Sequence, residues 1–263
     1  MDISSMAGEQ PESGTAEPFR RHEHRVLVLQ GGGALGAYQA GVYEGLAGAG
    51  FAPDWIAGVS IGAINAALIA GNPPERRIER LREFWSRVSA RSTVVLPAGM
   101  DSARPFMNQM SAVSAAVFGI QGFYQPRAIP PHLAPAGSLG ALSYYDTEPL
   151  QATLEELVDF DVFNRGDVRL SLGAVNVRNG ESIYFDSRTH RITASHVMAS
   201  GSLPPGFPPV EIDGEHYWDG GIMSNRRGPY GTRPTQPPGA GAARVARTRA
   251  ARPPAVMIAA TSP

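Results

Sequence analysis

The chain has 263 residues, 43% of them hydrophobic and 18% charged, with a formal net charge of -1 and no cysteine. That length and composition suit one soluble α/β domain, and the lack of cysteine excludes disulfides, thiolate metal sites and a thiol nucleophile. No apolar run approaches the ~20 residues of a membrane-spanning helix, and the near-neutral total conceals a basic end, since seven arginines and no acid follow Asp219.

Residues 1–24 are polar, with Glu9, Glu12 and Glu17 and no apolar segment of the secretory kind, which predicts a disordered cytoplasmic leader. Arg25-Val-Leu-Val-Leu-Gln30 is a short apolar run bounded by glycine and reads as a buried strand of a parallel sheet. After a glycine turn, Leu35, Tyr38, Val42, Tyr43 and Leu46 recur at helical spacing over 34–46, and Gly48 and Gly50 stop the helix. A second apolar run at 55–59 and a second, buried helix at 61–70 complete the order strand, helix, strand, helix, which is the pattern of a sheet with helical crossovers.

Over 73–88, Ile78, Leu81, Phe84, Trp85 and Val88 alternate with Arg and Glu as in an amphipathic surface helix. Residues 97–145 are irregular and rich in Met, Ala, Gly and Pro. They read either as a lid over an apolar site or as a plain connection with one short helix near 111–118. A helix is expected at 150–158, then strands at 169–177 and 182–186 about the turn signal Arg178-Asn-Gly180. A short helix opening at 195–199 is ended by Pro204 and Pro205, and strands at 206–212 and 216–218 flank a second turn signal, Asp213-Gly214. Past Asn225 the sequence turns to Pro, Gly, Ala and Arg without periodicity, so residues 226–263 are expected to be a disordered tail and 25–225 the folded domain.

The strongest chemical signal is Gly58-Val-Ser-Ile-Gly62, a G-x-S-x-G between a predicted strand and a predicted helix, which would raise the Ser60 hydroxyl above the sheet edge at a helix N-terminus. Gly31-Gly-Gly-Ala-Leu-Gly36 occupies the corresponding place after the first strand. Its amides could converge on a phosphate or on the oxyanion of a tetrahedral intermediate. Gly31, Gly33 and Gly36 also satisfy the dinucleotide-binding pattern G-x-G-x-x-G, but Asp54 lies at the start of the second strand, whereas ribose binding needs an acid at its end. A serine nucleophile needs a base. His22 and His24 sit in the leader, and His132, His190, His196 and His216 lie in no motif. Asp219 ends an aromatic strand and is followed by Gly220 and Gly221, and it is the better candidate.

Taken in order, Gly31-Gly-Gly-Ala-Leu-Gly36, Gly58-Val-Ser-Ile-Gly62, Ala199-Ser-Gly-Ser-Leu-Pro204 with Phe207-Pro-Pro-Val210, and Asp219-Gly-Gly221 resemble the patatin-like phospholipases over about residues 25–225. The resemblance implies a three-layer α/β/α fold with a mainly parallel central sheet. It also implies a lipid acyl hydrolase that uses a Ser-Asp dyad without histidine, metal or cofactor. Carried over position by position, Ser60 is the nucleophile and Asp219 the base, within the glycine pairs Gly58 and Gly62 and Gly220 and Gly221. The turn Gly31, Gly32, Gly33 and Ala34 then supplies the oxyanion hole. A lipid or phospholipid ester is the implied substrate, met by a cytoplasmic protein peripheral to the membrane, with no specific nucleic-acid partner.

Two departures stand out. Leu35 replaces a cation common in the family, and the change of character after Ser224-Asn225 suggests a shifted frame or truncation that removes closing elements. The rival readings are a catalytically inert family member and a dinucleotide-binding oxidoreductase.

Overall fold

The computed structural model describes residues 25–89, 115–224 and 256–260. The expected leader, residues 97–114 of the irregular stretch and most of the expected tail lie outside them. β1 (Arg25–Leu29) and β2 (Trp55–Val59) pair in parallel, with Leu29 opposite Gly58. Each strand turns directly into a helix: β1 into α1 (Gly36–Gly48), after a short 3-10 turn, and β2 into α2 (Ile61–Ala70). Every residue of α2 is buried, so its sequence carries no polar face. It touches β1 and β2 on one side, and α1 and α3 (Arg77–Ser89) also pack against it. In α3 the apolar spacing buries Leu81 and Phe84 while Glu79 and Arg82 face outward, and Arg77 at its start is buried with its Nε donating to the Asn72 carbonyl at 3.0 Å. Full burial of side chains such as Ile64, Leu68 and Ile69 stabilises the fold by about 1.5–3 kcal/mol each.

The described part of the irregular stretch is a packed connection. A helical turn at 115–118 leads to a two-stranded antiparallel pair, β3 (Gln125–Pro126) with β4 (Tyr145–Asp146). Rings hold it to the body: Tyr124 lies 4.7 Å from Tyr145 and 5.3 Å from Phe207, centroid to centroid. The amides of Tyr144 and Tyr145 donate to the carbonyls of Pro205 and Gly206 at 3.2 and 3.0 Å.

Next come α4 (Glu148–Leu157) and the five-residue α5 (Phe160–Asn164), whose amide at Asp161 donates to the capping Asp159 side chain. β5 (Arg169–Asn176) and β6 (Ser182–Asp186) form the hairpin expected from Arg178-Asn-Gly180. A polar cluster crosses β2, β5 and β6. The Arg169 guanidinium stacks 4.0 Å from the Trp55 ring and pairs with Asp186 at 2.8 Å, which also accepts from Ser171 at 2.7 Å.

α6 (Ala194–Gly201) opens with a capping box between Thr193 and His196 and ends before the prolines. β7 (Val210–Ile212) and β8 (Glu215–Asp219) follow, turning where Asp213 (φ 52) and Gly214 (φ 78) both adopt positive φ, as the Asp-Gly signal requires. The strand expected over 206–212 forms only at its end, because Pro208 and Pro209 have no amide to give a ladder. A last turn, α7 (Gly221–Ser224), leads out of the site.

The sheet runs β7-β8-β5-β2-β1-β9, with β6 also on β5. Its core is parallel and helices flank it, as the mainly parallel expectation requires, while β6, β7 and β8 add an antiparallel side that makes the sheet mixed. β9 (Val256–Ala260) lies within the segment expected to be disordered, yet it pairs in parallel with β1. Val-Met-Ile-Ala-Ala is a short apolar run there, and β1 offers it a full edge of backbone donors and acceptors.

One feature of β5 positions the site. A strand residue has two edges, and β6 occupies one of them along Ser171–Val175. β2 pairs Val59 with Gly173, and β8 pairs Asp219 with Ala174, so both overlap β6 in register and must share the opposite edge. β2 and β8 therefore meet end to end, and the residues at their ends are Val59 and Asp219.

Candidate active site

Ser60 follows Val59 at the break between strand and helix, with φ 59 and ψ -130, a backbone region that side-chain-bearing residues rarely adopt. Such a turn folds tightly enough that α2 abuts the end of β1. A Cβ on Gly62 would lie 2.2 Å from the Leu29 carbonyl oxygen, and one on Gly58, the fourth residue of β2, would lie 2.5 Å from the Gly62 carbonyl oxygen. The glycine turn passes against the same serine, because a Cβ on Gly31 would stand 3.1 Å from the Ser60 Cβ. Gly31, Gly32, Gly33 and Ala34 are exposed, with Gly33 at φ 58. Leu35, in place of a cation, is 48% exposed beside them.

A buried polar network holds this turn from below. The Gln39 side-chain amide donates to the Gln30 carbonyl at 2.7 Å, and Asn65 donates to the Gly36 carbonyl at 2.9 Å and to Gln39 Oε1 at 3.1 Å. Trp85 Nε1 donates to Asn65 Oδ1 at 3.0 Å. Asn65 lies on the helix that begins after Ser60, so serine and glycine turn are joined through one side chain. The signal was readable as a single polar residue in an otherwise apolar helix, but its partners were not.

Asp219, the last residue of β8, is 2% exposed, and the Ser60 side chain is near enough to its carboxyl to lower the carboxyl's pKa. The Gly221 amide donates to Asp219 Oδ1 at 2.7 Å. Gly220 lies against β5, where a Cβ would come within 2.7 Å of the Gly173 carbonyl oxygen. Burial pushes the Asp219 carboxyl above its ordinary range, and the bonds from Ser60 and Gly221 hold part of that rise back. A carboxylate desolvated in this way is a stronger base toward a neighbouring hydroxyl.

The histidines are engaged elsewhere. His196 takes the Thr193 amide at its Nδ1 and packs its ring 4.7 Å from Phe185. Burial, then the nearby His190, holds it below the usual histidine range despite Asp213. His190 lies against Phe185 and Thr189, His216 faces Glu211, and His132 sits in a 3-10 turn at 131–133. His22 and His24 lie outside the described residues. Asp54 accepts from the Arg25 amide at 2.9 Å, at the end of the sheet away from the glycine turn, so the position a ribose-binding acid would need is filled by Ser60. Among the described residues no three His, Asp or Glu side chains come together.

Two further residues belong to the site without having been expected there. Ser200 and Ser202, in the third motif, receive the main-chain amides of Ser60 and Asp219.

A family model described as patatin-like phospholipase matches residues 27–227. No curated protein matches the chain. Among solved structures the chain is similar to VipD from Legionella pneumophila, at 18% identity and a TM-score of 0.43, over 76% of this chain and 46% of that one. It is also similar to the type III effector protein ExoU, at 16% identity and a TM-score of 0.32, over 72% of this chain and 42% of that one. A third similarity is to the ExoU–SpcU complex of the Pseudomonas aeruginosa type III secretion system, at 18% identity and a TM-score of 0.27, over 70% of this chain and 37% of that one. The chain thus spans less than half the length of the structures it matches.

Proposed function

The chain belongs to the patatin-like phospholipase family, and from that premise we propose that it is a lipid acyl hydrolase of the phospholipase A or lysophospholipase kind. The observation that carries the proposal is the end-to-end meeting of β2 and β8 on β5, which brings Ser60 beside the buried Asp219 carboxyl and against the glycine turn. In this reading Ser60 Oγ attacks the ester carbonyl carbon while its proton passes to Asp219. The amides of Gly32, Gly33 and Ala34 receive the charge that develops on the carbonyl oxygen. Collapse of the tetrahedral adduct breaks the bond to the leaving alkoxide, which takes the proton from Asp219 and departs as an alcohol, leaving an acyl-Ser60 ester. Water then attacks that ester with Asp219 again as base, and the fatty acid leaves as Ser60 recovers its proton.

Among the described residues no helix is long and apolar enough to cross a membrane. Access to lipid in this reading is by peripheral contact from the cytoplasm, and the chemistry calls for no metal or cofactor. A fluorophosphonate probe tests the proposal, since it reacts covalently with an activated serine hydroxyl. Labelling of the parent chain that Ser60→Ala abolishes, with parallel loss of fatty-acid release from a chromogenic acyl ester, is the expected result. Label that survives Ser60→Ala would overturn it. A folded parent chain that neither labels nor turns over would favour the inert-member reading.

A further inference from the structure

The third sequence motif, Ala199-Ser-Gly-Ser-Leu-Pro204, has no part in the cycle above, yet its residues contact both members of the dyad through their backbone. The strand ladder explains why partners are needed there. β2 leaves β5 after Val59, so the Ser60 amide has no strand residue left to donate to, and β7 pairs with β8 only as far as Tyr217, so the Asp219 amide beyond it has none on that edge either. α6 ends at this junction. The Ser60 amide donates to Ser200 twice, to its carbonyl oxygen at 3.0 Å and to its hydroxyl oxygen at 3.1 Å. The Ser200 hydroxyl in turn donates to the Gly173 carbonyl at 2.6 Å. Two residues later, the Ser202 carbonyl accepts the Asp219 amide at 2.9 Å, while its hydroxyl donates to Met198 within the last turn of α6. Ser200 is fully buried and Ser202 nearly so, at 0% and 2% exposure, which removes water as an alternative partner.

We propose that Ser200 is a positioning residue: its side chain ties the Ser60 amide to Gly173 on β5 and so sets the nucleophile against the base that Ser202 holds. The assignment rests on the reading of Ser60 as nucleophile and Asp219 as base. Ser60 occupies a backbone conformation that favours relaxation to a commoner one, and such a conformation persists only where its surroundings over-determine it. The doubled bond to Ser200 is one such constraint. Without the hydroxyl, Ser60 keeps only the carbonyl contact, and Gly173 loses its donor. The hydroxyl of Ser60 then spends less time on Asp219, and a displacement of the order of 1 Å in a reacting group costs about 10²-fold in rate. Substrate binding is not touched, because Ser200 lies beneath the sheet edge and not on the exposed glycine turn.

The test is Ser200→Ala in the full chain, read on a chromogenic acyl ester, on fluorophosphonate labelling of Ser60 and on thermal unfolding. The expected result is a kcat lowered about 10- to 100-fold with KM within about twofold of the parent, a labelling rate lowered in parallel, and a cooperative melt. The acid limb of the kcat/KM profile should also move to higher pH, because the bond from Ser60 that lowers the Asp219 pKa is weakened. A folded Ser200→Ala variant with parent kcat and parent acid limb overturns the proposal. Should the alanine variant fail to fold, Ser200→Cys, close in size but a weak donor, is expected to show the same split, and parent kcat in that variant overturns the proposal equally. If the parent itself proves inert to ester and probe, the acyl-hydrolase reading has failed and the clamp is read by amide hydrogen exchange alone. Faster exchange at Ser60 in the variant supports the clamp, and unchanged exchange refutes it.

Discussion

Replacing Asp219 by asparagine separates the chemistry of the dyad from its packing. The two side chains are nearly isosteric, and the amide would keep an oxygen for the Gly221 N–H while presenting its NH2 to Ser60 Oγ as a donor. No cavity opens and no backbone amide is stranded. What is lost, in the proposed cycle, is the acceptor for the serine proton, which should lower kcat about 10²- to 10⁴-fold, or some 3–5.5 kcal/mol of barrier at about 1.4 kcal/mol per factor of ten. Stability should move the other way. The folded pKa of Asp219 lies above its ordinary value of 3.8 because burial disfavours the anion, so the folded chain holds that proton more tightly than the unfolded chain. Below about 3.8 both states are protonated and the substitution is neutral. As pH rises from there through the folded pKa the parent loses stability, and an asparagine side chain, which never ionises, does not. Kinetics on an acyl ester and thermal melts in acid and at neutral pH should therefore give a nearly inactive variant. Its melting temperature should match the parent's in acid and exceed it at neutrality. Activity within about tenfold of the parent, or a variant less stable than the parent at neutral pH, would refute the reasoning.

Gly62→Ala places a Cβ 2.2 Å from the Leu29 carbonyl oxygen, a backbone atom that cannot yield without moving β1. A loss of about 1–3 kcal/mol or more in urea unfolding is expected, together with a displaced elbow and lost labelling of Ser60. Asn65→Leu keeps the volume but strands Trp85 Nε1 and takes the second donor from the Gly36 carbonyl, which keeps its bond within α1, at about 1–3 kcal/mol for the buried group left without a partner. Denaturant melts measure that loss, and kcat should fall as the glycine turn loosens. Arg169→Met removes the charge that faces Asp186 across the sheet. Although burial opposes it, the bonds from Ser171, the Arg188 amide and Arg169 hold Asp186 below its ordinary range, so this pair stabilises the fold above the unfolded pKa and ceases to as pH falls through the folded one. The variant should melt lower at neutral pH, by the equivalent of about 1.5–3 kcal/mol, and that gap should close in acid.

The elements around the elbow were legible because their signals are local. β2 is found at 55–59 and α2 at 61–70, as the apolar runs predict, since strand, tight glycine turn and buried helix each leave a mark within a few residues. The Asp213-Gly214 reversal was equally plain, two positive-φ positions being a demand few residue types meet. The two-residue strands β3 and β4 and the five-residue α5 were not, because none is long enough to show a period. β9 was passed over for a related reason: five apolar residues in a Pro, Ala and Arg-rich background read as noise until the unpaired edge of β1 supplies them with a partner.

The candidate site divides along the same line. Ser60 and Asp219 announce themselves by the glycines that flank them, but their meeting depends on β5, whose sequence carries no trace of having one edge shared between two strands. That shared edge has a cost which must be met locally. Wherever a ladder is interrupted, each buried amide at the break needs another acceptor, and at the ends of the β2–β5 and β7–β8 ladders those amides belong to Ser60 and Asp219, the proposed nucleophile and base. A helix ending there, with a hydroxyl and two carbonyls free, answers both. The ladder ends that meet beside Ser60 and Asp219 therefore also create the demand that Ser200 and Ser202 satisfy, and a third motif of small polar residues follows from the topology of the sheet as much as from the chemistry proposed at its edge.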